Sequence, residues 1–147
     1  MKYLTAPLLA GLLVLPAIGQ ETAPDRAAIE KVAHTLSLSK TDINPGNRRG
    51  PDLEGTLPGG VRIEIDFHRD GSLEEIEASH SRPAPVSEVR AVLPEVLLNA
   101  DRFPVNGVFE SIEFKDDGFE IDARDAEGRW FEAEYAPNGA LREWDAD

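Results

Sequence analysis

Ile63-Glu-Ile-Asp-Phe-His-Arg-Asp-Gly-Ser-Leu-Glu-Glu-Ile-Glu-Ala78 lies without a gap on Phe131-Glu-Ala-Glu-Tyr-Ala-Pro-Asn-Gly-Ala-Leu-Arg-Glu-Trp-Asp-Ala146. Glu64 and Glu132, Gly71 and Gly139, Leu73 and Leu141, Glu75 and Glu143, and Ala78 and Ala146 are identical pairs. Phe67 and Tyr135, Asp70 and Asn138, and Ile76 and Trp144 keep their chemistry. Internal similarity of this kind predicts a duplicated unit. Within it, Val61, Ile63, Ile65 and Phe67 alternate with Arg62, Glu64, Asp66 and His68. A period of two marks a strand with one buried face and one wet face. Asp70-Gly71 supplies the positive φ angles of a hairpin turn, and residues 73–78 form the return strand.

Outward from this hairpin, the elements follow from periodicity and punctuation. Ile29, Val32, Ala33 and Leu36 recur at helical spacing after Pro24, which predicts an amphipathic helix of about 12 residues. Residues 37–58 are rich in Asn, Pro and Gly and read mostly as loop, with a short strand at 52–57. Two prolines in 79–85 place the boundary of the duplication there, giving a first repeat at 25–79 and a second at 80–147. Pro85 opens a second helix with an apolar stripe of Val86, Val89, Val92, Leu93, Val96 and Leu97. Pro94 inside that stripe must kink the helix or start another short one, because it lacks a backbone donor and clashes with the preceding turn. Strands follow at 108–114, 119–124, 130–135 and 141–144, separated by Gly-containing turns. The fold expected is α+β: two tandem repeats of a helix plus an antiparallel meander, with the helices on one face of the sheet.

The N-terminus reads as a targeting segment. Met1-Lys2 is a short positive start, residues 4–15 are apolar, and Ala17-Ile18-Gly19 carries small residues where a signal peptidase cuts. The expected signal peptide is 1–19, followed by a polar linker at 20–24, and the expected location is the bacterial periplasm or the medium. Removing Lys2 with the signal takes the formal net charge from -13 to -14 over about 128 residues. That charge repels nucleic acid and anionic lipid, which excludes both as partners, and it suits a basic partner or a divalent cation. The chain has no cysteine, so disulfides, a lipid-modified N-terminus and thiolate metal sites are excluded.

No pattern carries catalysis. His34, His68 and His80 are not spaced as helix-face metal ligands, no serine sits in a nucleophile elbow, and Gly59-Gly60 stands alone rather than in a phosphate-cradling loop. Asp66-x-His68-x-Asp70-Gly71-x-x-Glu74-x-x-Glu77 has calcium-loop spacing. Its His68 is a poor calcium ligand, its flanks read as strands, and Ala136 and Arg142 stand at matching places in the second copy. A plain Asp-Gly hairpin accounts for it better. The expectation is a protein that is no enzyme and needs no cofactor or resident metal.

The outward residues of the second meander form the candidate site. One strand shows Glu120, Asp122 and Arg124, and its neighbour shows Trp130, Glu132 and Glu134. Trp130 is out of phase with the inward Phe131, Ala133 and Tyr135. It is either covered by the neighbouring repeat or acts as an interface anchor, as exposed aromatics do. Trp144, which stands where the first copy has Ile76, is expected in the core.

The run from Gly118 to Leu141, with its Phe-Glu-Ile-Asp strand, Asp125-Ala-Glu-Gly128 turn and Asn138-Gly-Ala-Leu141 close, resembles the strand-turn-strand signature of PepSY-like domains. The likeness covers about 85–146, and the first repeat matches through its last hairpin. It implies a small α+β domain outside the cytoplasm that binds and restrains other proteins, with no catalytic residue set. Two tandem copies are similar to the architecture of the beta-lactamase inhibitor protein, without that protein's disulfides. Together these readings lead to a monomeric, exported module. It would bind a basic protein or peptide through a sheet face or edge, using Trp130, Glu120, Asp122, Glu132 and Glu134, and so modulate or inhibit an envelope protease or sensor. The alternative is a divalent-cation-binding envelope protein using the turn carboxylates Asp66, Asp70, Asp116 and Asp117.

Overall fold

Alternating apolar residues that cannot all face water drive the chain of this computed structural model into one antiparallel sheet. The structure describes residues 26–46 and 50–146. The expected signal peptide, the linker and Pro24 lie outside them. In chain order the elements are α1 (Arg26–Thr35), β1 (Ser39–Asn44), β2 (Asp52–Thr56), β3 (Arg62–Phe67), β4 (Leu73–Ala78) and β5 (Ala84–Pro85). Then come α2 (Val86–Val89), a 3-10 turn (Arg90–Val92), α3 (Glu95–Leu98), β6 (Val108–Lys115), β7 (Gly118–Arg124), β8 (Trp130–Tyr135) and β9 (Leu141–Ala146). Among the described residues the strands pair in the order β1-β2-β3-β4-β6-β7-β8-β9, and the short β5 also pairs with β6. Adjacent strands are antiparallel throughout.

The join between the two halves is the pairing of β4 with β6, where Glu75, Ile76 and Glu77 face Glu113, Ile112 and Ser111. Ile76 and Ile112 are both completely buried there, so the core runs across the join without interruption. Leu53, Ile63, Ile65, Phe67, Ile76, Phe109, Ile112, Ile121, Ala123, Phe131, Ala133 and Tyr135 supply the buried face. Ile29 and Leu36 from the α1 side, and Val86, Val89, Leu93 and Leu97 from the α2–α3 region, close over them in the same cluster. Each fully buried aliphatic or aromatic side chain contributes roughly 1.5–3 kcal/mol. With no disulfide available, this burial supplies most of the stability.

One expectation needs correction. Residues 37–58 are not mostly loop, because β1 occupies Ser39–Asn44 and pairs with β2. Of its residues only Ile43 is even half-buried, so the strand rests on backbone pairing and leaves no apolar alternation to read. As Pro94 led one to expect, a second short helix begins there, and α2 itself spans Val86–Val89. Leu93 turns extended at φ -84, ψ 142, and Pro94 caps the N-terminus of the four-residue α3. Proline removes the donor that would continue the helix, so the stripe is delivered by short turns instead.

Gly50 and Gly118 show how tightly the strands are laced. At Gly118 (φ +148) an added Cβ would meet the carbonyl oxygen of Tyr135 at 1.9 Å, and at Gly50 (φ +149) that of Phe67 at 1.8 Å. Both positions require a residue without a side chain.

Candidate functional site

Period-two alternation has a consequence on the side of the sheet away from the helices. The strand residues that do not enter the core emerge there, and most of them are acidic. One row of laterally paired residues runs through Asp42, Glu54, Glu64, Glu77, Ser111, Asp122, Glu132 and Asp145. The next runs through Asn44, Asp52, Asp66, Glu75, Glu113, Glu120, Glu134 and Glu143. All these side chains are exposed or half-buried. Like charges directly opposite each other across a strand pair are unfavourable, so this face opposes the folding that the other face drives.

The four carboxylates singled out from sequence are brought together here, as two direct pairs: Glu120 faces Glu134 and Asp122 faces Glu132. Trp130 faces Arg124 at the end of the same two strands. These strands lie inside the sheet, whose edges are β1 and β9. The four acids therefore mark a face and not an edge. The reading from sequence missed the equal standing of Asp52, Glu54, Glu64, Asp66, Glu75, Glu77, Glu113, Glu143 and Asp145. The alternation in 61–68 already signalled Glu64 and Asp66.

Proton affinities register the crowding. Burial, reinforced by Glu120, Glu110 and Glu113, raises the Asp122 carboxyl above its usual range. The charge of Asp122, with some burial and then Glu120, Asp145 and Glu134, raises Glu132. Glu64 is raised by burial and then by Asp66, Asp52, Glu54 and Glu77. Burial also raises Glu75, against the hydrogen bond that Ser111 Oγ donates to it at 2.7 Å. Cations relieve the face locally. Arg62 pairs with Glu54, and Lys115 pairs with Glu120 and, at 3.4 Å, with Glu113.

Trp130 sits in a stack. His80, from the segment after β4, lies on it with ring centroids 5.5 Å apart and planes 12° from parallel. The Arg124 guanidinium carbon is 4.5 Å from the ring centre, and its Nε is buried with no hydrogen-bond acceptor among the described residues. His80 Nδ1 pairs with Glu110. The indole remains half-buried, beside a hollow of about 190 Å³ that it lines with Glu132 and Asp145. Trp144 lies against the core, stacked on Phe131 at 4.0 Å with the Arg102 guanidinium 3.6 Å from its ring centre.

The turn carboxylates do not converge. Asp66 belongs to β3, Asp70 accepts hydrogen bonds from the Ser72 hydroxyl at 2.5 Å and amide at 2.9 Å, and Asp117 lies 3.3 Å from Arg142. Among the described residues, the one group of three or more acids whose oxygens all lie within 4.8 Å of one another is Asp52, Glu64 and Asp66. They could hold a cation, although exposed acidic groups commonly gather without one. Nor do the residues of the calcium-loop pattern form a loop. His68 Nδ1 lies 3.7 Å from Glu74, and Asp66 and Glu77 sit within strands.

No family model matches the chain, and neither does any curated protein. The PepSY-like resemblance accordingly rests on the quoted residues alone. Among solved structures, the chain is similar to a periplasmic protein of the DUF2874 family from Bacteroides vulgatus, with TM-score 0.49 and 15% identity over 86% of this chain and 93% of that one. It is similar to a protein from Bacteroides thetaiotaomicron named as calcium-regulated and periplasmic, with TM-score 0.45 and 18% identity over 86% and 93%. A BLIP-like protein from Bacteroides fragilis gives TM-score 0.38 and 11% identity over 84% and 86%. At such scores and identities, the functional reading stands on this chain's own residues. Among the described residues no helix is long and apolar enough to cross a membrane.

Proposed function

We propose that this protein is an exported, non-enzymatic binding module that holds a basic protein or peptide on the helix-free face of its sheet and thereby modulates an envelope protease or sensor. The observation that carries this reading is the register of β7 and β8. It sets Glu120 against Glu134 and Asp122 against Glu132, beside a half-buried Trp130. Carboxylates held together at a folding cost are discharged by a cationic partner, and charge complementarity of this kind speeds encounter and selects the partner. The indole supplies apolar area next to them.

A duplicated origin, with units at 25–79 and 80–147, fits this reading. Gly50 and Gly118 stand under Phe67 and Tyr135 in the same way. Both hairpins carry a register shift at matching places, between Asp66 and Phe67 and between Glu134 and Tyr135. Such a duplication would make the acidic face twice as long.

The test is retention of envelope proteins by the wild type and by the variant E120Q/D122N/E132Q/E134Q at low salt. A partner held by the wild type and lost by the variant supports the module, and equal retention by both removes these four residues from the site. A second reading, binding of a divalent cation, is favoured by the approach of Asp52, Glu64 and Asp66. It requires calcium to raise the melting temperature of the wild type, and D66N to abolish that rise.

A further inference from the structure

The two acidic rows run across the strands, not along them, and their spacing selects the shape of what can lie on them. Neighbouring strands are about 4.8 Å apart, and outward residues two apart on one strand are separated by about 6.6 Å. A cationic strand laid along the rows would present its side chains every ~6.6 Å and fall out of step at once. A helix advances about 5.4 Å per turn and offers one stripe of side chains at i, i+3, i+4 and i+7. It loses only about 0.6 Å per strand, which long Lys and Arg side chains absorb over several turns. Sheet twist of about 20–25° per strand limits a straight rod to roughly four strands.

We infer that the partner element is a basic amphipathic helix of about four turns, seated across β4, β6, β7 and β8, so that it bridges both halves of the chain. Its basic stripe meets Glu75 and Glu77 on β4, Glu113 on β6, Asp122 on β7, and Glu132 and Glu134 on β8. Trp130 flanks the rows on β8 and takes an apolar residue at the border of the stripe. The inference rests on the proposed binding role of this face and adds the partner's shape and position. The raised proton affinities of Glu75, Asp122 and Glu132 accord with it, since charge there is unfavourable until a cation arrives.

The test uses three labelled peptides of about 15 residues with one composition. In the first, lysines form one helical stripe, in the second they alternate as in a strand, and in the third they are scrambled. Binding is read by fluorescence anisotropy at low salt, with circular dichroism for induced helix. The striped peptide is expected to bind on the order of tenfold more tightly than the others. E75Q/E113Q should remove most of that preference while E143Q on β9 leaves it, and W130F should abolish the change in protein fluorescence on binding. Since the substitutions relieve like-charge pairs, melting curves should show all variants folded. Equal affinity for the three peptides would overturn the helical pose while leaving the acidic face as a binding surface. An E75Q/E113Q variant indistinguishable from wild type would overturn the position. Absence of binding by any peptide would remove both this inference and the proposed function beneath it.

Discussion

Tyr135 is the residue where core and polar demands meet. Its ring is buried edge-on to Phe103 at 6.4 Å, and its hydroxyl donates to the Asp101 carbonyl at 3.2 Å. Burial, helped by Asp101, pushes the phenol up to about 12. Tyr135→Phe should cost about 1 kcal/mol, the usual net worth of one hydrogen bond, read from the midpoint of urea unfolding. A wild-type spectrophotometric titration should show this tyrosine ionising only near the unfolding limb at high pH. Gly118→Ala should cost more, above roughly 1 kcal/mol, because the new methyl would strike the Tyr135 carbonyl. A melting temperature unchanged by that substitution would contradict the backbone geometry described here. That Tyr135 is inward was legible from the alternation of 131–135. Its partner Asp101 was not, because the two are brought together by folding across 34 positions.

Among the elements, β7 and β8 carry the clearest conflict between stability and use. Their cross-strand acids oppose pairing, and each like-charge pair removed should return roughly 0.2–1 kcal/mol. E120Q/D122N/E132Q/E134Q is therefore expected to melt higher than wild type while losing its basic partner, a combination that damage to the fold could not produce. These strands were legible because apolar and acidic residues alternate without exception in 119–123 and 131–135. The strand β1 was not legible, since its residues bury almost nothing and only the neighbouring β2 backbone makes it a strand. The α2–α3 region was legible as apolar and helical, with Pro94 marked as the interruption. How few residues each turn would keep was settled by the fit over the sheet.

For the molecule as a whole, the acidic face sets the response to pH and salt. Glu64, Glu75, Asp122 and Glu132 hold protons more tightly when folded than when unfolded. Between the usual carboxylate range and their raised values the folded state thus binds more protons, and stability grows as pH falls through that window. Asp125, held by amide hydrogen bonds from Arg129 and Glu127, and Asp70, held by Ser72, are lowered instead. Their stabilisation is present above the ordinary carboxylate range and is lost as pH drops through their folded values. The melting temperature should accordingly peak at mildly acid pH, about 4 to 5, and lie lower at pH 7. At pH 7 it should rise with added sodium chloride, which screens the rows. A melting temperature that falls steadily from pH 7 to pH 5 would contradict the description of this face. In β3, β7 and β8 residue order alone established which positions face in and which face out, because a strand's period of two is a local property of the backbone. It likewise established the acidic character, the freedom from cysteine and the hairpin turns. The lateral order of strands, the pairing of β4 with β6, and the alignment of acids from distant segments into two rows came from packing. They depend on which apolar faces find one another to exclude water, a long-range choice that no local pattern encodes.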